Sequence, residues 1–292
     1  MSHVGDVSVP FAEYLGRQER RTEMLSPHRV AEMAALLDRE VADLAPGGRL
    51  PALAHWLYFT SWAPQSQLGS DGHPRRGGFM PPIELPRRMF AGARMTLHRD
   101  LRVGETAERH AEITAIQRKS GGSGTLIFVT VRFRIFGVEG LAIEEEQDIV
   151  YRDVTAPAPA RQEPAPEPVP AGAHTRAIHP DPVLLFRFSA LTSNAHRIHY
   201  DRPYAVEEEG YPGLVVHGPL QAMLLLDLVR EHFPGRGIST FRFQARRPIF
   251  DTGDMLCVAQ AGESGIDLST RTSEGHVAMS ARAQLDEAFS RG

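Results

Sequence analysis

The sequence predicts an α+β fold in which one unit occurs twice, each copy an antiparallel sheet wrapped around a central helix. Three observations predict it. A proline-dense stretch divides the chain near its middle, helical segments precede four alternating apolar runs on both sides of it, and one helix of the second half is apolar almost all round.

The dividing stretch runs from Thr155 to Pro170, where closely spaced prolines forbid helix and leave an extended, semi-rigid tether. It separates a first unit, 1–154, from a second, 174–292, with 155–173 as linker. In the first unit, Ser26-Pro27 supplies an N-cap and a first helical residue for Val30, Met33, Ala34, Leu36 and Leu37 at helical spacing. A second helix is expected within Pro51 to Trp62. After Pro86 the pattern becomes alternating over Arg94 to Leu101, Ala107 to Gln117, Thr125 to Phe136 and Ile143 to Arg152. Turn signals at Val103-Gly104-Glu105, Ser120 to Gly124 and Gly137 to Gly140 make these an antiparallel meander.

The second unit repeats that order. A short helix is predicted over Pro182 to Thr192 and a long one over Gly218 to His232, followed by strands beginning near Ile238, Met255, Ile266 and His276. Thr252-Gly253-Asp254 falls where Val103-Gly104-Glu105 fell, which marks an internal duplication. His217-Gly218-Pro219 opens the long helix with a small residue and proline, and Pro234-Gly235 ends it. Leu220, Ala222, Met223, Leu224, Leu225, Leu226, Leu228 and Val229 leave it no polar face, so it must be buried. A buried helix wrapped by an antiparallel sheet is the hotdog arrangement.

The 292 residues are 42% hydrophobic and suffice for about two domains. A net charge of -4, with 23% charged residues of both signs scattered along the chain, excludes a basic nucleic-acid footprint. Cys257 is the only cysteine, so there is no internal disulfide and no cysteine-based zinc cluster. Met1 to Phe11 carries no basic segment followed by an apolar run, and no stretch of about 18 apolar residues occurs. The expectation is a cytoplasmic protein with no membrane partner.

The densest polar constellation is Asn194-Ala-His196-Arg-Ile-His199-Tyr-Asp201, and a solvated loop is the bland alternative to a site. His196 and His199 are three apart, as in some metal sites, but no further ligand motif accompanies them and no metal is expected. The start of the long helix offers unpaired N–H groups to a developing oxyanion, and Gly218 lets one approach closely. Arg246-Arg247 and Arg87-Arg88 are candidate cations for phosphates or a carboxylate, with strand-edge solvation as the alternative. Lys119, beside the glycine-rich turn, is a weaker candidate for a phosphate.

Phe188 to Asp201, together with Gly213-Leu-Val-Val-His-Gly218, resembles the second half of the MaoC-like double hotdog hydratases. Within that group it is similar to itaconyl-CoA and mesaconyl-C4-CoA hydratases and to type 2 hydroxyacyl-thioester dehydratases. His55-Trp-Leu-Tyr-Phe59, Ala63-Pro-Gln-Ser66, Asp71-Gly-His-Pro74 and Leu85-Pro-Arg-Arg-Met89 extend the likeness to the first half. The family pattern Asp-x-Asn-Pro-x-His-x-Asp places its catalytic histidine on His199 and its catalytic aspartate on Asn194. An amide accepts no proton at neutral pH, so the resemblance implies proton transfer by His199, water held by Asn194 and an oxyanion donor at Gly218. Pro51-Ala52 stands where the first half would need a His-Gly helix start, so that half is expected to be non-catalytic and to wall off an acyl-CoA tunnel.

The resemblance implies reversible hydration of a short enoyl-CoA, dicarboxylic as in itaconyl-CoA or mesaconyl-C4-CoA, with citramalyl-CoA as product. It implies no cofactor, coenzyme A being part of the substrate, and is compatible with a homodimer or higher homo-oligomer. Broader 3-hydroxyacyl-thioester dehydration, thioester hydrolysis and non-catalytic acyl-CoA binding remain the alternatives.

Overall fold

A computed structural model describes residues 10–39, 45–121, 124–153 and 165–286. The first unit comprises β1 (Gln18–Met24), α1 (Pro27–Leu36), β2 (Arg87–Leu97), β3 (Thr106–Gly121), β4 (Gly124–Gly137) and β5 (Gly140–Arg152). The second comprises β6 (His174–Ile178), α2 (Pro182–Leu191), α3 (Gly218–His232), β7 (Ile238–Ala245), β8 (Met255–Gly262), β9 (Gly265–Arg271) and β10 (Val277–Leu285).

All ten strands form one antiparallel sheet in the order β1-β3-β4-β5-β2-β7-β10-β9-β8-β6. The second five strands repeat the first five in mirrored order, so the sheet is itself the record of the duplication. Val103-Gly104-Glu105 and Thr252-Gly253-Asp254 lie immediately before the equivalent strands β3 and β8. The halves meet where β2 pairs with β7, from Gly92 opposite Gln244 to Thr96 opposite Thr240. A Cβ on Gly92 would lie 2.5 Å from the Phe243 carbonyl oxygen, so only glycine allows this approach.

Burial orders the second half around α3. Every residue from Leu220 to Val229 is buried, and the helix packs on β6, β8, β9 and β10. Its two polar members have partners, as burial demands. Gln221 accepts from Thr270 Oγ1 at 2.7 Å, and Asp227 pairs with Arg176 at 2.8 Å and with Arg39 of the first half.

Among the described residues, the first half has no equivalent helix. The helix expected within Pro51 to Trp62 is a single 3-10 turn, Ala54–Leu57, bounded by Leu53 (φ 67) and Phe59 (φ 57) in the left-handed region. Its side chains are anchored one by one. His55 Nε2 lies 2.9 Å from buried Glu145, Trp56 Nε1 donates to the same carboxylate at 3.0 Å, and Tyr58 donates to the Ser26 carbonyl at 2.6 Å. α1 fills part of the remaining space by packing on this turn and on α2.

β1 and β6, both edge strands, were not expected from the alternation, and β2 begins at Arg87 rather than Arg94. Of the proposed linker, 155–164 lie outside the described residues, and 165–173 form no helix or strand before β6. No helix among the described residues is long and apolar enough to cross a membrane.

Candidate active site

The site begins at the end of α2. Thr192 and Ser193 close the helix through bonds to Phe188 and Ala190 carbonyls, with Ser193 left-handed (φ 53). Asn194 N–H then returns to the Ser189 carbonyl at 2.8 Å, and its side-chain oxygen accepts the His196 N–H at 3.1 Å. That Asx turn throws the chain into the short turn Arg197–His199. Asn194 is thus partly a shaping residue, with its amide N–H groups still able to donate.

His199 is buried, and its Nδ1 lies 2.7 Å from the Val215 carbonyl oxygen. A carbonyl only accepts, so Nδ1 carries the proton and Nε2 presents a lone pair. The ring stacks on His217 with centroids 3.6 Å apart and planes 18° apart. His217 is the residue before Gly218, so the imidazole lies at the amino end of α3. No side chain caps that helix, and Pro219 has no N–H to contribute. A Cβ at Gly218 would meet only Phe90 at 3.8 Å and Met279 at 4.0 Å, so packing does not demand the glycine.

Burial dominates the electrostatics. It lowers the His199 pKa to about 4 against the Val215 bond, which raises it, while His73 lowers it further. It lowers His196 to about 2, helped by His73, His199 and Arg88 and opposed by Asp71. His217, within 2.9 Å of Ser189 Oγ, is held well below the usual imidazole range by burial and its neighbours. All are neutral at pH 7, the form that can accept a proton.

The first half also reaches the site. Asp71 accepts the His73 N–H at 3.0 Å and holds His73 Nδ1 at 3.1 Å, and the His73 ring lies 4.2 Å from that of His196. His196 in turn meets His199 edge to face at 5.5 Å. Among the described residues, Asp71, His73 and His196 alone bring three potential metal-ligand atoms within 4.8 Å of one another. Arg88, whose charge acts on both His73 and His196, opposes a dication there. The Asp71-Gly-His73-Pro74 motif was visible in the sequence, but nothing local assigned it a role.

The candidate cations separate. Arg87 is taken up by the second half, donating to the Glu209 carbonyl at 2.7 Å and pairing with the Glu209 carboxylate at 3.3 Å. The half-buried Arg88 side chain makes no hydrogen bond or ion pair with a described residue and lies close enough to depress the His73 pKa. Arg246 and Arg247 N–H groups donate to the Ala278 carbonyl, one residue before Met279, and with His276 and Glu167 they line a polar groove. Arg246 Nε also donates to Ser280 Oγ at 2.6 Å. Lys119 lies on the β3–β4 hairpin with its ammonium 4.6 Å over the Phe128 ring, and no described contact joins it to the His199 loop.

Residues 53–251 match the family model of hydroxyacyl-thioester dehydratase type 2. The chain is 50% identical over 280 residues to mesaconyl-C(4)-CoA hydratase of Chloroflexus aurantiacus, covering 95% of this chain and 99% of that one. It is 28% identical over 263 residues to the mitochondrial hydroxyacyl-thioester dehydratase type 2 of Schizosaccharomyces pombe, covering 80% and 84%. A MaoC-like dehydratase from Phytophthora capsici superposes with a TM-score of 0.68 at 16% identity, covering 94% and 97%. A Mycobacterium tuberculosis protein described as a double hotdog does so at 0.58 and 15%, covering 93% and 96%. The family model and the half-identical relative show that the chain belongs to the hydroxyacyl-thioester dehydratase type 2 family of hydratases and dehydratases, and the structural likeness shows a double hotdog fold.

Proposed function

We propose that this protein reversibly hydrates a short-chain dicarboxylic enoyl-CoA, mesaconyl-C4-CoA or itaconyl-CoA, to citramalyl-CoA. The observation that carries the proposal is the seating of His199. Its Nδ1 is tied to Val215 O and its ring is stacked on His217, so a basic nitrogen and the free end of α3 serve one substrate.

For mesaconyl-C4-CoA the chemistry balances with these groups. Water forms a bond from its oxygen to the β-carbon and gives one proton to His199 Nε2. The electrons of the double bond move onto the thioester oxygen, where the Gly218 N–H meets the developing charge. The imidazolium then returns the proton to the α-carbon, so His199 ends neutral. Asn194 donates to the attacking water, and reversal of these steps is dehydration. In this substrate the carbon that receives the hydroxyl also bears the second carboxylate, and Arg88 is the cation we assign to it. Arg246 and Arg247 are assigned to the coenzyme A phosphates.

The test is loss of the conjugated enoyl-thioester absorbance on adding the protein to mesaconyl-C4-CoA, with release of the product confirmed by mass. A second reading, dehydration of 3-hydroxyacyl thioesters in general, is favoured by the likeness to the Schizosaccharomyces pombe dehydratase. Turnover of crotonyl-CoA at an equal kcat/KM supports that broader reading. No turnover of mesaconyl-C4-CoA, itaconyl-CoA or crotonyl-CoA defeats both.

A further inference from the structure

Residues 69–73 of the first half are fitted to the catalytic loop of the second. The Asp71 carbonyl accepts the Arg197 N–H at 2.9 Å, and Arg197 Nη1 returns a bond to the Ser70 carbonyl at 2.9 Å. Gly72 sits at φ +88, and a Cβ there would lie 1.9 Å from the Ala195 carbonyl oxygen. Only glycine fits this contact, so the approach of Asp71 and His73 to His196 is built into the chain.

The hydration chemistry creates a positive charge at His199 in a place where burial opposes it. His217 of α3 lies on one face of that ring, His196 lies against its edge, and His73 stands behind His196. None of these is anionic. Arg88 adds a positive charge to the same cluster, and Arg76 acts on His73 with the same sign. The carboxylate that acts on both His73 and His196 is Asp71.

We propose that Asp71, carried in by the first half and held by His73, is a positioning residue that eases formation of the imidazolium at His199 during hydration by offsetting the positive charge gathered around it. The first half is then part of the proton-handling machinery as well as a wall. Asp71 fixes His73 by two hydrogen bonds, the His73 ring lies against that of His196, which meets His199 edge to face, and the aspartate charge opposes that of His73, which acts against protonation of His199. The same contacts keep Asp71 ionised: burial raises its pKa, but the His73 bonds and charge outweigh burial and bring it to about 2.

This inference rests on the hydratase reading, and the experiment separates the two. Asp71→Asn keeps the size and the acceptor for the His73 N–H. It is expected to lower kcat by about tenfold, the worth of a one-unit change in the imidazolium pKa. Losing a nearby negative charge lowers the imidazolium pKa, so the acid limb of the kcat/KM profile should move to lower pH. Asp71→Glu should recover part of the rate, as should Asn194→Asp in the Asp71→Asn background.

Inactive His199→Asn beside Asp71→Asn with unchanged rate and pH profile overturns this inference alone, fully active His199→Asn overturns the role of His199 and this inference with it, and a parent protein that turns over none of the enoyl thioesters overturns the hydratase reading. Should Asp71→Asn fail to fold, Asp71→Ser, which keeps a small acceptor for the His73 N–H, is expected to show the same acid-limb shift; an unshifted profile overturns the inference. Loss of parental activity on EDTA treatment, restored by zinc, also overturns it by making the trio a metal site.

Discussion

Replacing Gly218 with alanine separates the fold of this site from its chemistry. The added Cβ would stand 3.8 Å from Phe90 and 4.0 Å from Met279, both ordinary contacts, and the backbone there is not left-handed. Alanine is favoured over glycine by up to about 1 kcal/mol in helix interiors and by less in a first turn. The melting temperature should therefore hold, or rise by about 1–3 °C for a chain of this size. A thioester oxygen must come within about 2.9 Å of the Gly218 N–H, and on the proposed assignment a methyl on the same residue crowds that approach. Loss of one oxyanion donor costs about 2.7–4 kcal/mol, a hundred- to thousandfold in kcat. Thermal melts alongside initial rates of enoyl-CoA hydration measure both quantities. A folded variant with kcat within threefold of the parent would refute the assignment of Gly218.

Three further outcomes are expected. Arg88→Met should raise KM for mesaconyl-C4-CoA by about tenfold or more, the worth of a charge-assisted hydrogen bond; an unchanged KM removes Arg88 from the substrate. Unfolded imidazoles bind protons below about pH 6.5, whereas burial withholds protonation of His199 until about pH 4. Stability conferred by neutral His199 is therefore complete above pH 6.5 and falls by about 3 kcal/mol towards pH 4, with His196 adding to the loss. Urea unfolding at pH 7 and pH 4.5 measures this, and equal free energies contradict it. Leu225, fully buried on α3, should cost about 2–5 kcal/mol when replaced by alanine, and a urea-derived loss below 1 kcal/mol would mean that α3 is not packed as described.

Much of this was legible in the sequence because it is local. His217-Gly218-Pro219 and the apolar run behind it gave α3 its observed bounds, and the turn signals divided the eight meander strands. Asn194, His199 and Gly218 span only a short stretch of chain, and the fold brings His199 to Gly218 through the Val215 and His217 contacts.

What was illegible depends on long-range contacts. Periodicity over Pro51 to Trp62 cannot reveal that Leu53 and Phe59 adopt left-handed backbone, or that Glu145 on a distant strand captures His55 and Trp56. β1 and β6 are edge strands whose pairing is set by partners far along the chain. The two adjacent arginines at 87 and 88 look equivalent until Glu209 takes one of them. Asp71 and His73 reach His196 only because Gly72 lodges against Ala195, more than a hundred residues away.

The most direct measurement is the hydration rate of His199→Asn on mesaconyl-C4-CoA, with thermal melting as the control for folding. The shorter amide can keep the donor to the Val215 carbonyl while removing Nε2. Removal of a general base predicts a fall of about a hundredfold or more in kcat. A folded variant that retains the parental rate within a few-fold would contradict the account.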